Sequence, residues 1–300
     1  MKVTMRTGRP DLAEIYLAQL RDDPKYSVEF VDSCGTAGGD RREKWVAIIS
    51  TQFGCPAGCL MCDAGGGYHG DLSREEMIWQ LETVLAAHPE VNPRSCRKLK
   101  FQFARMGEPS LNDEVLPVLK WLGANYPRCI PCVTTLAPAG REEWFAELLA
   151  GRDRFADFQL QFSINTTDRE LRDLLMPVDK QPWEWIAEYG QAFRRPGARK
   201  AGLNFALSDS IPVDAAEVAR HFDPEAFAVK LTPLNPTGSG LANELEPPDN
   251  EADCRELVEL RAAQFAAHGF DVIRSVGEWE ENRIGSNCGQ LVRALAGTVV

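Results

Sequence analysis

The chain has 300 residues, with 33 Lys and Arg against 44 Asp and Glu, a net charge of −11 and a pI near 5.0. Hydrophobic residues make up 44% and charged residues 26%, ordinary globular usage that excludes intrinsic disorder, and the acidic balance opposes nonspecific binding to phosphate backbones. No run approaches the roughly 18 apolar residues of a membrane span, and no apolar segment follows Met1-Lys2-Val3, so the expectation is a soluble, cytoplasmic protein without membrane contact.

In chain order, residues 10–21 have helical spacing and an acidic first turn, while 26–31 and 44–50 read as extended segments around a Gly-rich turn. Residues 1–44 are thus expected to form a short lead-in. Short β-type runs then recur at 45–51, 98–103, 129–135, 157–164, 201–207 and 227–232. Helical patterns fall between them at 73–87, 113–124, 142–149, 183–194 and 215–221. Repeated β-α units imply an α/β fold with a parallel sheet, and right-handed crossovers curl it toward a partial parallel (β/α)6 barrel over residues 45–235. Residues 236–300 are read as a C-terminal extension: a long loop, a helix at 251–269, an edge strand at 271–274 and a tail.

Cysteine usage carries the chemistry. The nine cysteines are odd in number and include one tight group, a poor match to a secreted disulfide framework. That group is Cys55, Cys59 and Cys62, a C-x3-C-x2-C spacing directly after the first run of the barrel. Three thiolates on one loop suit three irons of a [4Fe-4S] cube, leaving the fourth iron open to an outside ligand such as S-adenosylmethionine (SAM). The bland alternatives are a zinc knuckle or packed thiols, but a zinc ribbon wants a second Cys pair. Cys129 and Cys132 are an odd separation apart on a predicted strand, which sends them to opposite faces.

The segments Ser50-Thr-Gln-Phe-Gly-Cys55, Met106-Gly-Glu-Pro109-Ser-Leu-Asn112, Leu171-Arg-Asp-Leu-Leu-Met-Pro-Val178, Pro233-Leu-Asn-Pro236 and Asn287-Cys-Gly-Gln-Leu291 occur in this order. From about Trp45 to Leu291 the chain resembles the RlmN/Cfr family, radical SAM enzymes that methylate adenine in 23S ribosomal RNA. The resemblance implies a [4Fe-4S] cluster on the three cysteines, with SAM as second cofactor. It implies that Gly107, Glu108 and Pro109 receive the SAM amino group, with Ser163, Asn165 and Asn235 as further SAM contacts. It further implies that one SAM methylates Cys288 and that a radical made from a second SAM activates this methyl group for addition to an sp2 carbon.

Departures from the family pattern set the remaining expectations. The family's second catalytic cysteine, seven residues before the first cluster cysteine, is Ile48 here, and Cys34 is the candidate replacement. Asn165 stands where the family usually has His. The N-terminal region is shorter than the family's helical RNA-binding region, and Glu278, Glu280 and Glu281 lie upstream of Cys288. These features favour a substrate other than intact 23S ribosomal RNA, with a flavodoxin- or ferredoxin-type electron donor. The rivals are an adenine methyltransferase acting on ribosomal or transfer RNA and a noncatalytic iron-sulfur protein.

Overall fold

Three antiparallel strands open the chain: β1 (Lys2–Arg9), β2 (Ala13–Gln19) and β3 (Ser27–Ser33). The helical expectation for residues 10–21 is therefore wrong. Ala13-Glu-Ile-Tyr-Leu-Ala-Gln is buried on both strand faces: Tyr16 and Ala18 join the main core, while Ala13 and Ile15 join a small cluster on the other side. A segment apolar on both faces shows no strict alternation, so its spacing is open to a helical reading. The computed structural model describes residues 1–35, 38–65, 67–276 and 291–292.

β3 pairs antiparallel with β4 (Trp45–Ile49), and the strands that follow are all parallel. They are β5 (Leu99–Phe103), β6 (Ile130–Thr135), β7 (Gln159–Ser163), β8 (Ala201–Leu207), β9 (Phe227–Pro233) and β10 (Asp271–Arg274). One ten-stranded sheet results, each strand beside its sequence neighbour. The expected (β/α) series is present, and the lead-in strands continue its sheet.

Helices α1 (Arg74–Ala86), α2 (Val115–Asn125), α3 (Glu142–Gly151), α4 (Arg169–Leu175), α5 (Trp183–Phe193), α6 (Ala215–His221), α7 (Gly238–Ala242) and α8 (Glu251–Ala267) complete the described elements. Strand periodicity sorts the two faces. Trp45, Ala47, Ile49, Phe101, Phe103, Phe162, Phe205 and Val229 fill the core on the helix side. Burying a side chain of Val, Leu or Phe size is worth about 1.5–3 kcal/mol, so this layer fixes the sheet.

The sheet is curled. Asp63, in the loop after β4, accepts the backbone N–H groups of Gly238 and Ser239, beyond β9, at 3.0 and 2.7 Å. Lys100 on β5 reaches across β6 to donate to Gln159 Oε1 on β7 at 2.8 Å. Such contacts between non-neighbouring strands require a concave, helix-free face. Among the described residues, no helix is long and apolar enough to cross a membrane.

Candidate active site

The loop after β4 carries Cys55, Cys59 and Cys62, all partly exposed. Gly58 turns it with φ of +62°, in the left-handed region that glycine enters without penalty. Leu60 N–H donates to Leu175 O at 2.9 Å, and Thr237 Oγ donates to Met61 O at 2.9 Å, so the segments after β7 and β9 brace the loop. Burial pushes the thiols of Cys55 and Cys59 up to about 11 and 12, which makes bare thiolates costly and a bound cationic centre favourable. Among the described residues, only Glu14, Asp32 and His88 bring three ligand atoms within 4.8 Å of one another. A [4Fe-4S] cube takes one thiolate on each of three irons, so three cysteines on one loop can hold it and leave the fourth iron open. Glu14 and Asp32 are instead occupied by Arg6 and Arg41, at 2.5 and 2.9 Å.

Gly107-Glu108-Pro109 follows β5 and lies against the same loop. Gly107 has φ of +100°, and a β-carbon there would come within 2.6 Å of Thr51 Oγ1 and 2.7 Å of Gln52 Cβ. Only glycine allows this approach. Glu108 is 4% exposed, and its N–H donates to Gln52 Oε1 at 2.8 Å. Its Oε1 accepts from Ser110 Oγ at 2.7 Å and Thr135 Oγ1 at 2.5 Å, and its Oε2 from Leu136 N–H at 2.8 Å. Burial pushes its carboxyl upward while these bonds oppose the shift, and its charge acts on Cys55. A lone pair remains on Oε2 for one further donor, as an ammonium would supply.

The other expected SAM contacts also lie at the carboxyl ends of their strands. Ser163 is the last residue of β7 and is half-buried. Asn165, two residues on, has φ of +64°, and its amide is engaged by Met176 Sδ at 3.1 Å, Met61 Sδ at 3.6 Å and the Ala206 N–H at 3.3 Å. Asn235 follows β9, and its carbonyl accepts the Thr237 N–H at 2.8 Å.

Cys34 lies apart from the cysteine loop. It follows β3, whose Ser33 pairs with Val46, so it lies at the amino end of β4, whereas Cys55 follows the carboxyl end. A five-residue strand such as β4 is about 16 Å long. Cys34 is 1% exposed, and its thiol donates to Asp11 O at 3.4 Å, away from the cysteine loop.

Cys288, Glu278, Glu280 and Glu281 lie outside the described residues. Leu291 and Val292 are described, and they reveal a residue that the sequence reading missed. Glu29 on β3 accepts both of their backbone N–H groups on Oε2, at 3.1 and 3.3 Å. Its Oε1 is paired with Arg105 Nη2 at 2.7 Å. Leu291 packs against the same small apolar cluster as Ile48. A charged residue inside the apolar run Val28-Glu-Phe-Val31 was the available signal.

The chain is 28% identical over 295 residues to the probable dual-specificity RNA methyltransferase RlmN of Synechococcus sp. (strain RCC307), covering 93% of this chain and 82% of the relative. It is also 28% identical over 248 residues to the probable dual-specificity RNA methyltransferase RlmN 3 of Opitutus terrae, covering 77% of this chain and 64% of that relative. A crystal structure of a radical SAM methyltransferase from Sphaerobacter thermophilus superposes with a TM-score of 0.70 at 19% identity, over 96% of this chain and 80% of the other. No family model matches the chain.

Proposed function

We infer that this chain, a divergent relative of the RlmN radical SAM methyltransferases, reductively cleaves SAM and transfers a methyl group to an sp2 carbon through Cys288. The observation that carries the reading is the convergence of the cysteine loop and the Glu108 turn at the carboxyl ends of β4 and β5, inside a curled parallel sheet. A [4Fe-4S] cluster on Cys55, Cys59 and Cys62 would supply the electron that splits SAM into methionine and a 5′-deoxyadenosyl radical.

The protein's own residues bind and orient. The Oε2 lone pair of Glu108 receives the SAM ammonium, whose positive charge offsets the cost of burying that carboxylate. Ser163 and Asn235 are the remaining candidate contacts, and Asn165 acts on the cysteine loop through Met61. Glu29 anchors the segment that carries the methyl acceptor. Cys288 precedes Leu291 by three residues, a tether of at most about 11 Å. Ile48 supplies no thiol at the second position, so release of the methyl group from an adduct on Cys288 needs a thiol from elsewhere to take that sulfur as a disulfide.

Anaerobic reconstitution and reduction test this directly. The expected result is about four irons per chain and release of 5′-deoxyadenosine, both lost in the Cys55→Ala/Cys59→Ala/Cys62→Ala variant. Cluster absorbance retained in that variant overturns the assignment. Mass spectrometry of protein purified with SAM is expected to find one added methyl group, on Cys288.

A second reading, methylation of RNA adenine, is favoured by the printed names of the relatives. Binding to a structured RNA with a salt dependence reporting several phosphate contacts would select it. The net charge of −11 argues against it.

A further inference from the structure

Beneath the cysteine loop, the concave face of the sheet carries a polar layer that the chemistry described above does not use. Alternation with the core-facing Leu160, Phe162, Leu203 and Phe205 puts Gln161 and Asn204 on this face. Gln161 is 3% exposed. Its Oε1 accepts from Thr134 Oγ1 at 3.1 Å and from Asn204 Nδ2 at 3.5 Å. Gln161 Nε2 and Asn204 Oδ1 are buried without a hydrogen-bond partner. Exchanging oxygen and nitrogen in both amides exchanges the roles but still leaves one donor and one acceptor. Each such orphan costs about 1–3 kcal/mol, so a ligand edge that pairs with both recovers that cost.

The same face gathers cations. Lys230 on β9 pairs in register with Asn204, and Lys100 on β5 pairs with Val46. Lys44, Lys230 and Arg199 all act electrostatically on Lys100, and Cys132 is the neighbouring thiol. Arg199 is matched by Asp157 at 2.5 Å. No carboxylate forms an ion pair with Lys44 or Lys100 among the described residues. Burial and these like charges bring the Lys100 ammonium down to about 8, so a bound anion would relieve a standing repulsion.

We propose that this concave face binds the substrate, a small phosphate-bearing molecule whose phosphate meets Lys44 and Lys100 and whose amide-like or nucleobase edge pairs with Gln161 and Asn204. A dianion suits two neighbouring ammonium groups better than a singly charged carboxylate does. The inference deepens the proposed function and rests on it, because it names the substrate class for that site. An acidic exterior around a recessed cationic floor repels a polyanionic RNA yet admits a small anion.

The test uses the full chain with its iron reconstituted anaerobically, titrated calorimetrically with inorganic phosphate, with a panel of nucleoside 5′-monophosphates and with the matching nucleosides. At least one monophosphate is expected to bind ten-fold or more tightly than its nucleoside. Lys100→Gln and, separately, the partly exposed Lys44→Gln are expected to remove most of that difference. Gln161→Leu is expected to weaken the nucleotide and spare inorganic phosphate. Equal affinity for nucleotide and nucleoside throughout the panel overturns the proposal, as does RNA binding that Lys100→Gln leaves unchanged. SAM cleavage is measured on the unaltered chain alone. Cleavage without phosphate binding sinks only this proposal, whereas phosphate binding without cleavage sinks the radical SAM reading and spares the anion site.

Discussion

Glu29 and Arg105 meet at 2.7 Å with side chains 0% and 1% exposed, and the other carboxylate oxygen of Glu29 holds the backbone of Leu291 and Val292. Removing one partner strands a buried charge. Glu29→Ala is therefore expected to cost about 3–5 kcal/mol in denaturant unfolding. The paired Glu29→Leu/Arg105→Met change is expected to recover most of that stability yet leave the C-terminal segment readily cut by protease, since the acceptor for its N–H groups is gone.

Cys34→Ala is expected to leave SAM cleavage and any methyl transfer unchanged, with no covalent adduct by mass spectrometry. The thiol lies at the amino end of β4 and donates to Asp11 O, away from the cysteine loop. A trapped adduct in this variant would instead give Cys34 the resolving role.

Asp63→Ala is expected to lower stability by about 1–3 kcal/mol, because the buried Ser239 N–H and the neighbouring Gly238 N–H lose their acceptor. The same change should reduce iron retention on reconstitution. Asp63 joins the cysteine loop to the start of α7, and without it the loop keeps the Thr237, Leu175 and Asn243 braces. Iron content per chain, measured beside the urea midpoint, checks both halves.

A pH effect follows from Lys100, whose ammonium is lowered to about 8 from 10.5. Between those values the unfolded chain holds a proton that the folded chain has released, so this residue makes stability rise with pH across that window. The thiols of Cys55 and Cys59, raised from 9.0 by desolvation, act in the opposite direction above that value. The difference between the unaltered protein and Lys100→Met isolates the lysine. It should grow in favour of the unaltered protein as pH rises from 8 to 10.5, and a flat difference would place Lys100 in water.

The barrel strands and most helices were legible because each is a short apolar run bounded by turn residues; β8 and β10 match their expected limits. The cysteine loop was legible from spacing alone. β2 was not, since burial on both faces erased its alternation. Glu29 and Asp63 escaped notice because their partners are 262 and 176 residues away, and no local pattern encodes such pairs. The concave layer was visible in principle: Lys100 and Gln102 in Leu-Lys-Phe-Gln-Phe, Gln161 in Gln-Leu-Gln-Phe-Ser and Lys230 in Ala-Val-Lys-Leu-Thr interrupt apolar strands at period two.

The contacts at the mouth of the sheet also bear on the order of assembly. Every strand pairs with its neighbour in sequence, so the sheet can grow progressively as the chain emerges during synthesis. Asp63 must await residues 238–239 and Glu29 must await residues 291–292, loops whose closure is entropically the most demanding in the fold. A nascent chain thus acquires its scaffold well before its mouth closes, and a product stopped just short of Leu291 would carry a complete sheet with Glu29 still waiting for its backbone partners.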